Sequence, residues 1–115
     1  MLVEQPVTPI LHIAVATEWE AAGSSYAPPA FTEDGFVHCS APHQIATVAD
    51  ARFAGREDLV VLTIDSTRLT APVVWEDLAD EGQQFPHVYG PIDRTAVLEA
   101  RPYRPGPDGR FPRPL

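Results

Sequence analysis

Residues 59–65 read Leu59-Val60-Val61-Leu62-Thr63-Ile64-Asp65, a nearly unbroken apolar run. A strand with one wet face alternates polar and apolar side chains, because successive residues point to opposite sides. This run does not alternate, so it reads as a strand buried on both faces and the spine of a sheet. Upstream, Ile10-Leu11-His12-Ile13-Ala14-Val15 and Gly35-Phe36-Val37-His38-Cys39 read as two further strands. Downstream, Ala71 to Glu76, Phe85 to Gly90 and Ala96 to Arg101 read as three more. Pro86 removes a ladder donor, which predicts an edge position or a short strand for its segment.

Two helices are expected in the first half. Thr17-Glu18-Trp19-Glu20 matches a capping box and predicts a short helix to about Ala22, closed by Gly23. Ser40, with Pro42 in the first turn, is placed as the N-cap of a second helix beginning at Ala41. Ile45, Val48, Ala49 and Phe53 give that helix one buried stripe, and Gly55 is placed to end it. Ser24 to Asp34 has no clear period and reads as a long loop able to form a lid. Strands with two early helices, then mostly strands, predict an α+β fold with a mixed sheet.

A chain of 115 residues is one domain with a single core. Residues 1–9 read as an extended lead-in, 10–103 as the domain, and 104–115 as a proline-rich tail, either an extended strap or disordered. The net charge is −8, with no lysine and eight arginines spread singly, which argues against a nucleic acid partner bound through its phosphates. No stretch approaches the roughly 20 apolar residues of a membrane span, and no signal peptide opens the sequence. The chain reads as a soluble cytoplasmic protein, and its lone Cys39 cannot form an internal disulfide.

Three of the four histidines fall in strands, and their directions follow from their neighbours. Leu11, Ile13 and Val15 form an apolar row that turns His12 the other way, toward a cleft or solvent. Phe36, His38 and Ser40 share one face, and Phe85, His87 and Tyr89 share another. If these strands neighbour one another, imidazole, hydroxyl and aromatic groups collect on one side. Such a patch suits acid–base work or hydrogen bonding to a ligand, because imidazole titrates near neutrality and offers two nitrogens. Each histidine also fits a partly buried ring bonded to a backbone carbonyl. A zinc site from His12, His38, Cys39 and His87 is disfavoured, because Cys39 directly follows His38 in a strand and points away from it. No metal is therefore expected.

Ser40 is a candidate ligand hydroxyl as well as a cap. Cys39, turned to the apolar side, reads as inert packing. Glu76, between Trp75 and Asp77, offers a carboxylate beside an aromatic ring, useful for holding a ribose hydroxyl or steadying positive charge at an anomeric carbon. Tyr89 can stack on a ring or donate its hydroxyl.

Leu-His-Ile at 11–13, Thr-Glu-Trp-Glu at 17–20, Gly-Phe-Val-His-Cys-Ser at 35–40, the 58–65 strand, Trp-Glu-Asp-Leu at 75–78 and Phe-Pro-His-Val-Tyr-Gly-Pro-Ile at 85–92 are shared features of one family. With them the chain resembles a bacterial family known as domain of unknown function 952, over about residues 10 to 101. That family looks like a member of the ADP-ribosyltransferase-like group, whose split, curved sheet binds NAD between its halves. The resemblance implies a ribose contact for His12, and it makes His38 and Ser40 counterparts of a His-containing strand in RNA 2′-phosphotransferases. The late glutamate of the group's transferases is replaced here by His87 or Tyr89 in the comparable strand. Glu76, one strand earlier, is the nearest acidic residue, and the phosphotransferase arginines have no clear equivalents.

The resulting expectation is a domain binding NAD, a related nucleotide or a small phosphorylated metabolite, with glycosyl or ADP-ribosyl-type transfer. His12, His38 and Ser40 would hold ribose or phosphate, Tyr89 or Trp75 would pack on a ring, and His87 or Glu76 would be the acid–base or charge-stabilising group. The alternatives are a non-catalytic ligand-binding or protein-binding module and, last, a metal-dependent hydrolase.

Overall fold

The computed structural model describes residues 8–114. The lead-in expected at 1–9 lies almost wholly outside them. In chain order the elements are β1 (Ile10–Val15), α1 (Ala16–Ala21), β2 (Ser25–Tyr26), α2 (Phe31–Asp34), β3 (Val37–His38), α3 (Ile45–Arg52) and β4 (Leu59–Ile64). β5 (Val73–Glu76), β6 (Phe85–Val88), β7 (Ile92–Asp93) and β8 (Val97–Tyr103) follow, with single 3-10 turns at Ser66–Arg68 and Arg94–Ala96.

The apolar run at 59–64 is the central strand of a three-stranded sheet ordered β1-β4-β8. Its two faces meet two different clusters, which explains why it carries no polar alternation. On one side Leu62 and Ile64 join Ile10, Ala14, Trp19, Tyr26, Val37 and Val88. On the other, Leu59 and Val61 join Leu11, Ile13, Ile45, Ala49, Tyr103 and Phe111. Complete burial of a side chain such as Leu11, Leu62 or Ile64 contributes about 1.5–3 kcal/mol.

A second three-stranded sheet is ordered β3-β6-β5, and β2 pairs with β7 in a two-stranded one. Every ladder among the named strands is antiparallel, so the expected mixed sheet is replaced by three antiparallel ones. The two larger sheets are stitched by an isolated bridge: Leu11 N–H donates to Ser40 O and Ser40 N–H to Leu11 O, each at 2.7 Å. The α+β class stands, with the strands divided at this bridge.

Several local expectations are corrected. α1 starts at Ala16, directly off β1, with its first N–H bound to Asp58 O at 2.8 Å. Thr17 therefore lies inside the first turn and no side-chain cap forms. The helix ending comes from far along the chain, where Arg94 donates to the Ala22 carbonyl at 2.9 Å and lies over the Trp19 ring. Ser40 is not a helix N-cap: both its backbone groups are committed to Leu11, and α3 begins only at Ile45. Gln44, buried at the N-cap position of α3, reaches back to accept the Ala41 N–H through Oε1 at 2.8 Å and makes no side-chain cap bond to the helix. The segment 24–34 carries β2 and the single turn α2.

β6 is short but central, not at an edge. It tolerates Pro86 because a residue's N–H and C=O point to the same side of an antiparallel strand. Pro86 O accepts from Cys39 N–H at 3.1 Å, so the missing donor faces Cys39, just past the end of the two-residue β3. The proline-rich tail forms a strap: Phe111 is buried against Tyr103, its N–H donates to Asp50 Oδ1 at 2.8 Å, and the Tyr103 hydroxyl donates to Pro112 O at 2.6 Å. Among the described residues, no helix is long and apolar enough to cross a membrane.

Candidate functional site

The pleat of the second sheet collects the site. His38 on β3 and Val74 on β5 both lie opposite His87 on β6, and Glu76 lies opposite Phe85. Directly paired residues share a face, so His38, Glu76, Phe85 and His87 stand on one side together. Phe36, just before β3, stacks on His87 with ring centroids 4.2 Å apart, and its ring lies 4.6 Å from His38 and 5.3 Å from Tyr89. Trp75 lies opposite Pro86 and faces the other way, about half exposed. It does not join the group, because the period of two that brings Glu76 in turns its neighbour out.

Glu76 is the hub. Its Oε1 accepts from His87 Nδ1 at 2.8 Å and from the Tyr89 hydroxyl. These two donors, the tyrosine first, hold the carboxyl below the usual carboxylate range, while the same bond raises the Tyr89 phenol above its ordinary value. An ionised carboxylate only accepts, so His87 carries its proton on Nδ1 and directs Nε2 elsewhere. His87 is buried, lines a cleft, and makes no hydrogen bond through Nε2 with any described residue.

His12 is also in this cleft, though buried and not open to solvent as its facing allowed. The second core cluster covers the Leu11 and Ile13 face of β1, and the first cluster closes around Ile10 and Ala14 on the His12 face. His12 Nδ1 donates to the His38 carbonyl at 2.6 Å, which fixes the tautomer and leaves Nε2 a bare acceptor. That Nε2 is buried with no hydrogen-bond partner among the described residues. Burial lowers the imidazole pKa from 6.5 to about 4, so the ring is neutral at pH 7. His38 itself is half exposed and its Nε2 pairs with Asp34 Oδ2, at the end of α2, at 2.9 Å.

The cleft has a volume of about 660 Å³ and is lined by groups from both sheets, α2 and α3. It brings together His12, His38, Ser40, Glu76 and His87, with Tyr89 tied in through Glu76. Cys39 and Ser40 are buried in its wall. Burial pushes the Cys39 thiol far up, so no thiolate is present to attack a substrate. Among the described residues no three His, Cys, Asp or Glu side chains converge as metal ligands.

Three contributors escaped the sequence reading. Asp34 stands four residues before His38 across Gly35, whose φ of 77° turns the chain between them. Gln44 Nε2 donates to Gln84 O at 2.8 Å and so fastens the 77–84 loop to the turn before α3. Asp77 organises that loop by accepting from the amides of Glu81 and Gly82. The spacing of Asp34 to His38 was the one local signal; the other two bonds depend on how the loops fold.

The sequence profile described as "Protein of unknown function (DUF952)" matches residues 13–100. Among solved structures, the crystal structure of protein CC0527 from Caulobacter crescentus is similar at 30% identity and a TM-score of 0.81, over 91% of this chain and 94% of that one. The solution NMR structure of the same protein is similar at 30% identity and a TM-score of 0.77, over 90% and 91%. No curated protein matches. With most of its length covered by the profile, and two structures of one bacterial protein sharing its fold throughout, the chain belongs to the DUF952 family.

Proposed function

We propose that the cleft binds NAD or a related nucleotide by its ribosyl part, and that His87, oriented by Glu76, moves a proton at the bound ligand. The observation that carries this reading is the shared Glu76 oxygen. It fixes the His87 proton on Nδ1 and leaves Nε2 without a described partner in a ring that lines the cleft. A base held by a third group in this way is the ordinary arrangement for general acid–base work. The ionised Glu76 also stands where it can steady positive charge developing on a ribosyl carbon. His12 Nε2 is an acceptor for one donor of the bound ligand, and Phe36 and Tyr89 offer ring faces.

The division of the strands at the Leu11–Ser40 bridge, with His12 beside it, supports the resemblance to the ADP-ribosyltransferase-like fold. Covalent catalysis has less support, since Cys39 and Ser40 are buried. The same burial favours a non-catalytic binding module as the second reading.

A thermal-shift screen of the whole chain with NAD, ADP-ribose, nicotinamide and sugar phosphates tests the proposal. A ligand at about 100 times its dissociation constant adds roughly 2.7 kcal/mol of stability. The expected result is stabilisation by NAD or ADP-ribose that His12→Ala/His38→Ala loses. No stabilisation by any nucleotide would overturn the reading.

A further inference from the structure

The carboxylates lining the cleft are Glu18, Asp34, Glu76, Asp77 and Glu81, and the only arginine among its lining residues is Arg52. Three of the five are engaged: Asp34 by His38, Asp77 by backbone amides, and Glu76 by His87 and Tyr89. Glu18 and Glu81 make no hydrogen bond or ion pair through their carboxylates with any described residue. A concave wall of one sign focuses its field and raises the local concentration of opposite charge.

An independent observation lies deeper. His12 is 5% exposed, and its Nε2 is buried with no hydrogen-bond partner among the described residues. The neighbouring Tyr26 ring lies 5.7 Å away, and Tyr26 and Glu18 line the cleft with His12; the Tyr26 phenol is raised chiefly by burial and further by the Glu18 charge. A buried polar atom left unpaired is costly and calls for an explanation. An anion without a proton to give does not satisfy this one, because Nε2 can only accept, and a protonated phosphate would bring its negative charge against the acidic wall. The His12 ring is uncharged at neutral pH and so does not repel a cation.

Resting on the reading that this cleft holds a small organic ligand, we propose that its His12–Glu18 end is a subsite for a protonated amine or similar nitrogen cation, one N–H donating to His12 Nε2 and the charge facing Glu18. An organic cation fits better than a metal ion, because the carboxylates surround the cleft without converging on one point. Nε2 is buried, so binding there requires part of the cleft wall to yield, and Pro28, Pro29, Ala30 and Asp34 of the 27–35 segment belong to that wall. α2, in that segment, has no fully buried residue, and its described side-chain hydrogen bond to the rest of the protein is Asp34 to His38. Oxidised NAD, whose nicotinamide ring is a cation bearing an amide N–H, stays within this class. Inorganic phosphate and ADP-ribose do not.

The test is an NMR titration of the full chain with ethanolamine, with ethylene glycol as the uncharged counterpart, and with inorganic phosphate. Ethanolamine is expected to bind about tenfold or more tightly than ethylene glycol, the difference a charged hydrogen bond makes. Its shifts should centre on His12 and Tyr26, and phosphate should produce none there. Glu18→Gln should weaken ethanolamine severalfold and leave ethylene glycol unchanged, and His12→Leu should abolish the preference. Should His12→Leu fail to fold, the wild-type comparison and Glu18→Gln decide. Equal binding of the amine and the glycol, or a preference for phosphate, would overturn the subsite. Ethanolamine binding with no nucleotide binding would sink the nucleotide reading and keep the subsite; nucleotide binding indifferent to Glu18→Gln, with no amine preference, would do the reverse.

Discussion

His87 and Glu76 are 11 residues apart in the chain and joined in the fold, His87 Nδ1 donating to Glu76 Oε1 at 2.8 Å. The β5–β6 register makes the pairing. It places Val74 across from His87 and Glu76 across from Phe85, so the two side chains lie diagonally on the same face. The same oxygen receives the Tyr89 hydroxyl, and Phe36 closes over the imidazole. The imidazole, the carboxylate that orients it and the ring that packs on it thus form one preset group.

Glu76→Gln removes the charge that both donors share. The Tyr89 phenol, raised above its ordinary value of 10.0 chiefly by this bond, should ionise at lower pH in the variant. The His87 proton should no longer be confined to Nδ1. An ultraviolet titration of tyrosine and an imidazole nitrogen NMR spectrum check the two effects, and an unchanged Tyr89 titration would count against the hub role of Glu76.

His12 makes stability depend on pH. The unfolded chain takes up a proton on this residue below 6.5, whereas the folded protein does so only near 4. Between these values the unfolded state binds more protons, so stability is greatest above pH 6.5, falls as pH drops toward 4, and levels off below. From about pH 7 to about pH 5 the loss from this group alone is roughly 2 kcal/mol. Urea unfolding at the two pH values should show a shallower dependence in His12→Leu than in wild type. Equal slopes would mean that His12 is not a buried neutral base.

Gly90 is fixed by packing. A Cβ at this position would stand 2.6 Å from the Ala71 Cβ, closer than two carbons approach. Gly90→Ala should cost about 1–3 kcal/mol by overpacking. Adding Ala71→Gly should recover part of that loss in denaturant unfolding. Additive losses in the double variant would place the strain elsewhere.

The strap is part of the second core. Phe111 is 4% exposed and packs on Tyr103, so Phe111→Ala should cost about 3–5 kcal/mol. Because Asp50 of α3 accepts the Phe111 N–H, amide exchange in α3 should quicken as well. Exchange unchanged in α3 would show that the strap and the helix are energetically independent.

What could be read from the sequence was what is local and periodic. The 59–64 run announced a doubly covered strand, and alternation turned Phe36, His38 and His87 in the directions the structure gives them. β2 and β7 could not be read, because two residues carry no period. The start of α3 was misplaced because Ser40 is used by Leu11, some 30 residues upstream, a pairing that no local signal encodes. The central place of β6 was hidden for a similar reason. Pro86 marks an edge only where a partner needs its N–H, and β3 ends just before that point. His12 was aimed correctly toward the cleft, yet its burial depended on which element covers the second face of β1.

An imidazole nitrogen NMR titration of the full chain with NAD, resolving His12, His38 and His87, tests directly whether the cleft takes a nucleotide. NAD is expected to shift His12 Nε2 as it gains a donor and His87 Nε2 as the ligand arrives, while Nδ1 of both rings stays protonated. Saturating NAD that leaves all three imidazoles unmoved, or shifts confined to the exposed His43, would contradict it.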